Sequence, residues 1–370
     1  MSENKLDADE ISFSPDSVRK KQKLRTILTT IGESLQTVFK NHIYESIGER
    51  PSLISIDDVN SIEKGTSKSK VHFVTYYLNT DIGKQSVNLV VKFSADEVRY
   101  DKEIKNYSLI SSVPSRFPGI YIPKIIYKSA QNRCIIYEGV TGTSFRETQL
   151  DKNFKHQLAG QTLSAIHGTD TGKFVIEPYK KLILYLLSIF SESSLEEEII
   201  ELMLPSFKAL EKSFGGATIF GDYHQGNLMI SSEVTAPLQE IIEEFPPKIK
   251  VYIIDPEFIM PGRDRSEDIG TFFAKPAMKE YRNYKTLDET KKNAQAFLKG
   301  YNFATHKMGA DYNLIDLYPE GMTIDFHISS YVLYDTSEKI LEKQLDLDSE
   351  EVQQNIELLR KILTEKPFSF

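Results

Sequence analysis

Two short polar segments, each beside an apolar run, constrain this chain more than any other part of its sequence. Residues 218–230 read TIFGDYHQGNLMI, and residues 250–258 read KVYIIDPEF. In the first segment, Asp222 and Asn227 lie on a turn-rich loop that leads into an apolar run. In the second segment, Asp255 ends a predicted apolar strand. An aspartate, an asparagine and a second aspartate after a strand occur in the order of the polar groups of a phosphoryl-transfer site.

The spacing within the first segment matches the kinase template. In that template a catalytic-loop aspartate takes the proton of the acceptor hydroxyl, and an asparagine five residues later holds Mg²⁺. A later aspartate also holds Mg²⁺. The sequence therefore predicts Asp222 as the catalytic residue, Asn227 and Asp255 as metal ligands, and ATP with Mg²⁺ as cofactors.

Composition excludes several other classes of protein. The chain has 370 residues, enough for two lobes, with 40% hydrophobic and 26% charged residues. Its net charge of −8 argues against a nucleic-acid partner. No apolar run is long enough for a membrane helix, and the N-terminal residues lack a signal core. The single Cys134 cannot form an internal disulfide. These observations together lead us to expect a cytoplasmic protein without a membrane partner.

Lys92 lies inside a predicted central strand, residues 87–93 (VNLVVKF), where a buried ammonium needs a partner. An edge-strand lysine that reaches solvent is the structural interpretation. The functional interpretation is the strand lysine that binds the α- and β-phosphates and pairs with a helix glutamate. A helix predicted over residues 98–111 supplies Glu103 as that partner, with Glu97 as the rival.

The stretch 63–70 (EKGTSKSK) is predicted to be a turn between two strands. Its Gly65, Thr66 and Ser67 could lie over nucleotide phosphates and offer backbone N–H groups, so Ser67 is a candidate nucleotide contact. Hairpin turns carry such residues without any ligand, and both interpretations stay open.

The first segment resembles the catalytic-loop motif H-G-D-x-H-x-G-N of the aminoglycoside phosphotransferase and choline kinase superfamily. It reads FGDYHQGN, so Phe220 stands in place of the usual first histidine. The hydrogen bonds that this histidine makes to the loop are therefore lost. Glu103 lies four residues before a tyrosine, as in the E-x-x-x-Y pattern of that superfamily, and SAIHG, which contains His167, resembles its L-x-x-L-H segment. The second segment, with IDPEF over residues 254–258 and DIG over residues 268–270, resembles most closely that of 5-methylthioribose kinase within the superfamily.

The resemblance implies an α+β, two-lobe protein-kinase-like fold, with a small antiparallel-sheet N-lobe and a larger, mostly helical C-lobe. We expect a disordered tail over residues 1–20, the N-lobe over 21–138 and the C-lobe over 139–370. The segment YEGVTG resembles the interlobe hinge, which would bind adenine through the main chain of Glu138 and Val140. Asp268 is expected to tie the catalytic loop to the following helix, and His167 to be structural.

Periodicity adds coarser predictions. Apolar residues from Leu24 to Phe39 predict one helix packed on the first lobe. Helices are also predicted over residues 153–167, 179–191, 195–214, 288–307, 324–334 and 338–364, the last of these in one or two pieces. Residues 231–250 form an acidic insertion with no predicted function.

The predicted function is an ATP-dependent kinase that phosphorylates a hydroxyl of a sugar, an aminoglycoside-like compound or an amino alcohol. From net charge alone, a cationic or neutral acceptor is favoured slightly over an acidic one. A catalytically weak pseudokinase or nucleotide-binding module is the alternative, on the strength of Phe220. A metallophosphoesterase is a weaker alternative because the chain lacks that class's G-N-H and G-H-x-H motifs. The sequence does not indicate an oligomeric state.

Overall fold

A computed structural model provides the three-dimensional description of the chain. The residues described are 15–66, 69–117, 119–168, 173–191, 193, 195–212, 216–231, 249–309 and 323–368. Contacts divide them into two compact units. The first comprises the chain up to Tyr100 together with Lys124–Val140, and the second comprises Asp101–Pro123 and the chain from Thr141 onward. The lobe boundaries expected from the sequence stay a prediction.

The first unit contains an antiparallel five-stranded sheet in the order β1-β2-β3-β6-β5. Its strands are β1 (Ile54–Thr66), β2 (Ser69–Thr80), β3 (Gly83–Ser94), β5 (Ile125–Ser129) and β6 (Cys134–Glu138). The turn expected over residues 63–70 is wrong over most of its length, because Gly65 and Thr66 pair with Lys70 and Ser69 in the hairpin.

Two helices cover one face of this sheet, α1 (Pro15–Ser34) and α2 (Gln36–Ile47). The single helix predicted from Leu24 to Phe39 is interrupted at Leu35, whose φ of −99° and ψ of 11° are not helical. Its apolar face is nonetheless the predicted one, since Leu28, Leu35 and Phe39 are buried in the core with residues of β2 and β3. The hydroxyl of Tyr76 donates to the carbonyl of Leu28 at 2.9 Å, which ties the sheet to α1.

The second unit holds the short strands that flank the polar loops. These are β4 (Ile120–Tyr121), β7 (Thr143–Ser144), β8 (Ala217–Ile219), β9 (Leu228–Ile230), β10 (Val251–Ile253) and β11 (Met260–Arg263). They form a four-stranded sheet in the order β4-β10-β9-β7 and a separate β11-β8 pair. Their apolar side chains are mostly buried, so the strand ends hold the loops between them at fixed positions.

Helices make up most of the second unit. They are α3 (Glu97–Ile110), which begins in the first unit, α4 (Val113–Arg116), α5 (Lys152–His167), α6 (Glu177–Phe190), α7 (Leu195–Leu210), α8 (Arg265–Tyr284), α9 (Asp288–Lys307), α10 (Ile324–Leu341) and α11 (Glu350–Glu365). A hydrophobic core around Phe272 and Phe297 joins α5, α8 and α9 to the short strands that flank the polar loops. The last two helices differ from the prediction, since α10 continues to Leu341 and α11 starts only at Glu350. Within the described ranges, no helix combines the length and the hydropathy needed to cross a bilayer.

Candidate active site

The loop that carries Asp222 and Asn227 connects β8 to β9 in the second unit. The side-chain amide of Asn227 donates to the carbonyl oxygen of Asp222 at 3.0 Å and to its carboxylate oxygen Oδ2 at 3.3 Å. The main-chain N–H of Asn227 donates to the carbonyl of His224 at 2.9 Å, which closes the loop. Both side-chain bonds use the amide nitrogen Nδ2, so the amide oxygen Oδ1 is available as a ligand.

Asp255 approaches this loop through the sheet. The N–H of Ile254 donates to the carbonyl of Asn227 at 2.9 Å, so the residue after it leaves β10 beside the loop. Asp255 itself has a left-handed backbone with φ 61° and ψ 64°, and it begins a short 3₁₀ turn over Pro256–Phe258. Asp and Asn adopt this conformation more readily than other non-glycine residues. The structure thus brings Asp222, Asn227 and Asp255 into one region.

A buried carboxylate holds the start of the loop. Asp268, on the first turn of α8, accepts hydrogen bonds from the N–H groups of Phe220 and Gly221, both at 2.7 Å. His167 Nε2 lies 3.1 Å from the same carboxylate, and His167 Nδ1 lies 2.8 Å from the hydroxyl of Tyr301. The predicted tie between Asp268 and the loop is confirmed. His167 is structural, as predicted, but it contacts side chains and not the helix carbonyls expected for a histidine at a helix end.

Phe220 takes part in this arrangement through its main chain and its ring. The side chain is fully buried and packs edge-on against Tyr223, with ring centroids 6.0 Å apart. The hydroxyl of Tyr223 donates to the carbonyl of Ala159 on α5 at 2.7 Å. The loop is therefore anchored by main-chain bonds to Asp268 and by aromatic packing where the related motif has a histidine.

Gly221 is required by the geometry of the turn before Asp222. Its φ is +80°, and a Cβ built on it would lie 2.2 Å from the carbonyl oxygen of Phe258. A side chain at this position would have to displace main chain next to Asp255. The glycine therefore fixes the distance between the two loops that carry the carboxylates.

The electrostatic environment shifts the pKa of Asp222. Burial, and after it the negative charge of Asp255, raises the pKa of Asp222 to about 6, while Lys275 on α8 opposes the shift. A carboxylate with a pKa near the operating pH is well matched to accept a proton from a hydroxyl group. Lys275 was not a sequence-predicted site residue, although it lies seven positions after Asp268 on the same helix face.

His224 is a further residue of the site for which no role was predicted from the sequence. Its Nδ1 accepts a hydrogen bond from the N–H of Gly226 at 2.9 Å, so Nε2 carries the proton of the neutral ring and lies 3.5 Å from Asp222 Oδ2. Burial, followed by the positive charges of Lys275 and Arg146, lowers the pKa of His224 to about 4. The ring is therefore neutral at pH 7.

The predicted nucleotide contacts lie mostly in the first unit. Lys92 lies on β3, on the face opposite α1 and α2, and is only 4% exposed. Glu103 on α3 is buried and belongs to the second unit, so its pairing with Lys92 stays a prediction. Ser67 lies outside the described residues, as do residues 232–248 of the acidic insertion.

The candidate hinge follows β6. The N–H of Glu138 donates to the carbonyl of Lys124 at 2.9 Å, and that of Gly139 donates to the carbonyl of Asn88 at 3.1 Å. A Cβ on Gly139 would lie 2.2 Å from the same Asn88 oxygen, so this residue must be glycine for the chain to approach β3 so closely. Since these two N–H groups are engaged within the first unit, an adenine would have to use other main-chain groups of Glu138 and Val140.

Comparison with known proteins identifies the fold. Neither models of known protein families nor curated protein sequences give a match to the chain. Among solved structures, the ethanolamine kinase of Plasmodium vivax matches with a TM-score of 0.50 and 14% identity over 82% of each chain. The chain has the fold of a small-molecule kinase.

Other solved structures with this kinase-like fold give weaker superpositions. A choline kinase of Streptococcus pneumoniae matches with a TM-score of 0.49 and 14% identity, over 90% of this chain and 99% of its own. A macrolide 2′-phosphotransferase of Brachybacterium faecium matches with a TM-score of 0.47 and 11% identity, over 87% and 97% of the two chains. The predicted α+β kinase-like fold, with its antiparallel sheet and helical second part, is confirmed. The resemblance to the superfamily holds at the level of the fold, while the likeness to 5-methylthioribose kinase stays a prediction.

Proposed function

We propose that this protein is an ATP-dependent kinase that transfers the γ-phosphoryl group of ATP to a hydroxyl group of a small molecule. The observation that carries the proposal is the hydrogen-bonded pair of Asp222 and Asn227, on a loop of a kinase-like fold, with the charge of Asp255 beside it. These are the groups of the phosphoryl-transfer template, in its order and spacing.

Asp222 positions the acceptor hydroxyl and accepts its proton as the new bond forms. The raised pKa of its carboxyl, about 6, supports this role because proton acceptors work best when their pKa is near the operating pH. Asn227 keeps the carboxylate in place, and Nε2 of the neutral His224 ring lies 3.5 Å from the same carboxylate oxygen, Oδ2. Such catalysis depends mainly on positioning and on stabilisation of charge.

Asn227 and Asp255 are the residues that would hold Mg²⁺. The donor set fits this ion, because Mg²⁺ prefers carboxylate and amide oxygens and takes its remaining ligands from phosphates and water. When bound, Mg²⁺ neutralises charge on the phosphate oxygens. The buried position of Lys92 supports its role as the phosphate-binding lysine, with Glu103 as its partner. Ser67 and the main chain of Glu138 and Val140 complete the proposed nucleotide contacts.

The proposal in its broadest form includes three classes of acceptor: a sugar, an aminoglycoside-like compound and an amino alcohol. A catalytically weak pseudokinase is the second candidate, since Phe220 replaces the histidine of the motif. The bonds from the main chain of Phe220 and Gly221 to Asp268 argue against it, because they hold the loop without that histidine. A cytoplasmic location also belongs to the proposal.

The test is acceptor-stimulated release of ADP from Mg-ATP, measured across a library of small hydroxyl compounds. Asp222→Asn should abolish the stimulation while preserving the thermal shift caused by Mg-ATP. The matched control is Asp348→Asn, which removes an exposed carboxylate between α10 and α11 and should behave as the wild type. A Mg-ATP thermal shift without turnover on any acceptor would favour the pseudokinase. Absence of both would refute a nucleotide site.

A further inference from the structure

A basic pocket lies beside the catalytic loop, entirely within the second unit. Its volume is about 640 Å³, and its walls come from the loop at His224, the start of α5, the middle of α8 and the start of α9. Five cationic side chains line it: Arg146, Lys152, Lys155, Lys275 and Lys279. The two acidic residues of its lining are Glu280 and Glu289.

Both acidic side chains have other partners. Glu289 forms an ion pair with Lys152. Glu280 accepts hydrogen bonds from the N–H groups of Glu289 and Thr290, at 2.9 and 2.8 Å, and from the Thr290 hydroxyl at 2.6 Å. Glu280 therefore satisfies the free N–H groups at the start of α9, where a negative charge is favourable. Neither carboxylate is available to neutralise the remaining cations of the pocket.

In the described part of the chain, none of those remaining cations forms an ion pair with a carboxylate. The Lys155 ammonium donates to the carbonyl of Phe145 at 3.1 Å, and burial, followed by the charge of Lys152, lowers its pKa. The Lys275 ammonium lies 5.9 Å from the centre of the Tyr331 ring, a cation–π contact that leaves its charge in place. The guanidinium of Arg146 lies near Gly226 of the catalytic loop, 3.9 Å from the position of a Cβ built on that glycine. The pocket thus carries an excess of positive charge in a chain whose net charge is −8.

The pocket opens beside the proposed catalytic carboxylate. His224 lines the pocket, and its Nε2 lies 3.5 Å from Asp222 Oδ2. The charge of Lys275 affects both Asp222 and His224, and that of Arg146 affects His224. A small molecule with a hydroxyl at Asp222 and a body in this pocket would place its other substituents near Arg146 and Lys275. An ammonium group there would be repelled, whereas an anion would form charge-assisted hydrogen bonds.

We infer that the acceptor carries an anionic group, a carboxylate or a phosphate ester, which Arg146 and Lys275 bind while its hydroxyl faces Asp222. The inference rests on the proposed function. The acceptor oxygen forms the new bond to the γ-phosphorus, the bond from that phosphorus to the β,γ-bridging oxygen breaks, and ADP leaves. The acceptor proton passes to the Asp222 carboxylate. An anionic acceptor reverses the slight preference for a cationic or neutral one that net charge suggested.

The test compares acceptors matched in shape and different in charge. Glucose, gluconate, glucose 6-phosphate and glucosamine form one such set, within a library that contains equal numbers of neutral, amino, carboxylate and phosphate compounds. The expected hits are carboxylates or phosphates, and which of the two dominates identifies the anion. A preference for neutral or amino acceptors would overturn the inference and leave the proposed kinase intact. No turnover on any class, without a Mg-ATP thermal shift, would refute both.

Variants of Arg146 and Lys275 test whether these two residues bind the anionic acceptors that the screen identifies. Lys275→Gln and Arg146→Gln should each raise KM for the anionic acceptor about tenfold or more, the usual loss for a hydrogen bond to a charged group. KM for ATP should change much less. Lys181→Gln, which removes an exposed lysine of α6 outside the pocket, is the control and should match the wild type. An unchanged acceptor KM in both pocket variants would show that the anion binds elsewhere.

Discussion

The side-chain amide of Asn227 bridges two oxygens of Asp222, the carbonyl at 3.0 Å and the carboxylate at 3.3 Å. One side chain thereby fixes the main chain and the side chain of the residue that we propose as the proton acceptor. The amide oxygen Oδ1 of Asn227 is left for a metal ion. Asn227 therefore joins the two halves of the proposed chemistry, metal binding and proton transfer.

Substitutions at Asn227 should separate these two roles. Asn227→Ala removes both the tether and the metal ligand, and we expect turnover to fall by about a hundredfold or more, with a higher Mg²⁺ requirement. Asn227→Asp restores an oxygen ligand but adds a third negative charge near Asp222 and Asp255. Magnesium titrations of turnover should show Mg²⁺ activation recovered in the aspartate variant only. Equal Mg²⁺ dependence in wild type and alanine variant would exclude Asn227 as a ligand.

The pH dependence of turnover should report the raised pKa of Asp222. The carboxylate accepts a proton only when ionised, so kcat/KM should fall as the pH drops through about 6. Because Lys275 lowers the pKa of Asp222, Lys275→Gln should move this acid limb to higher pH. The measurement is kcat/KM against pH for both proteins at saturating Mg-ATP. A limb near pH 4 in the wild type, or one that stays in place in the variant, would contradict the assignment.

The same carboxylate should reduce the stability of the unliganded protein. Its folded pKa, about 6, is above the unfolded value of 3.8, so ionisation is less favourable in the folded state and stability falls as the pH rises between these values. Asp222→Asn should therefore raise Tm at pH 7.5 and have little effect near pH 3.5. Thermal unfolding at both pH values, with Asp348→Asn as the exposed control, measures the difference. A lower Tm for Asp222→Asn at pH 7.5 would contradict the conclusion that the ionised Asp222 destabilises the folded state.

Gly48 and Gly221 have nearly the same φ but different surroundings. Comparing substitutions at the two positions therefore separates the cost of backbone strain from the cost of a steric clash in the loop that carries Asp222. Gly48, at the end of α2, has a φ of +78°, and a Cβ built on it would meet no atom within 4 Å. At Gly221, with φ +80°, such a Cβ would lie 2.2 Å from the carbonyl oxygen of Phe258. Gly48→Ala should cost about 1 kcal/mol, from backbone strain alone. Gly221→Ala should cost roughly 2 kcal/mol more, because main chain must move. Urea unfolding of both variants gives the comparison, and equal losses would refute the close contact.

The parts of this site that sequence could predict are the local ones. Asp222 and Asn227 keep the five-residue spacing of the template, and Asp255 follows an apolar strand, so these residues in this order indicate a phosphoryl-transfer site. The apolar face shared by α1 and α2 follows from apolar periodicity in the same way. The turn predicted over residues 63–70 was too long because serine, glycine and lysine are typical of turns, while pairing with β2 keeps Gly65 and Thr66 in the strand.

The basic pocket could not be predicted, because its charges come from separate segments. Arg146 follows β7, Lys155 lies on α5, and Lys275 and Lys279 lie on α8. Only the packing of these elements brings them together, and only the hydrogen bonds of Glu280 and Glu289 show that the acidic residues nearby are already engaged. A net charge of −8 conceals such a local excess of positive charge.

The bonds from Asp268 to the catalytic loop affect how such proteins can diverge. They end on the N–H groups of positions 220 and 221, which every residue except proline possesses. The side chain at position 220 can therefore change from histidine to phenylalanine without loosening the loop, and a motif search that begins with that histidine will miss the chain. Distant homologues should be recognised better by an aspartate on the first turn of the helix that follows the loop of Asp255, where Asp268 lies here, than by the first letter of the motif.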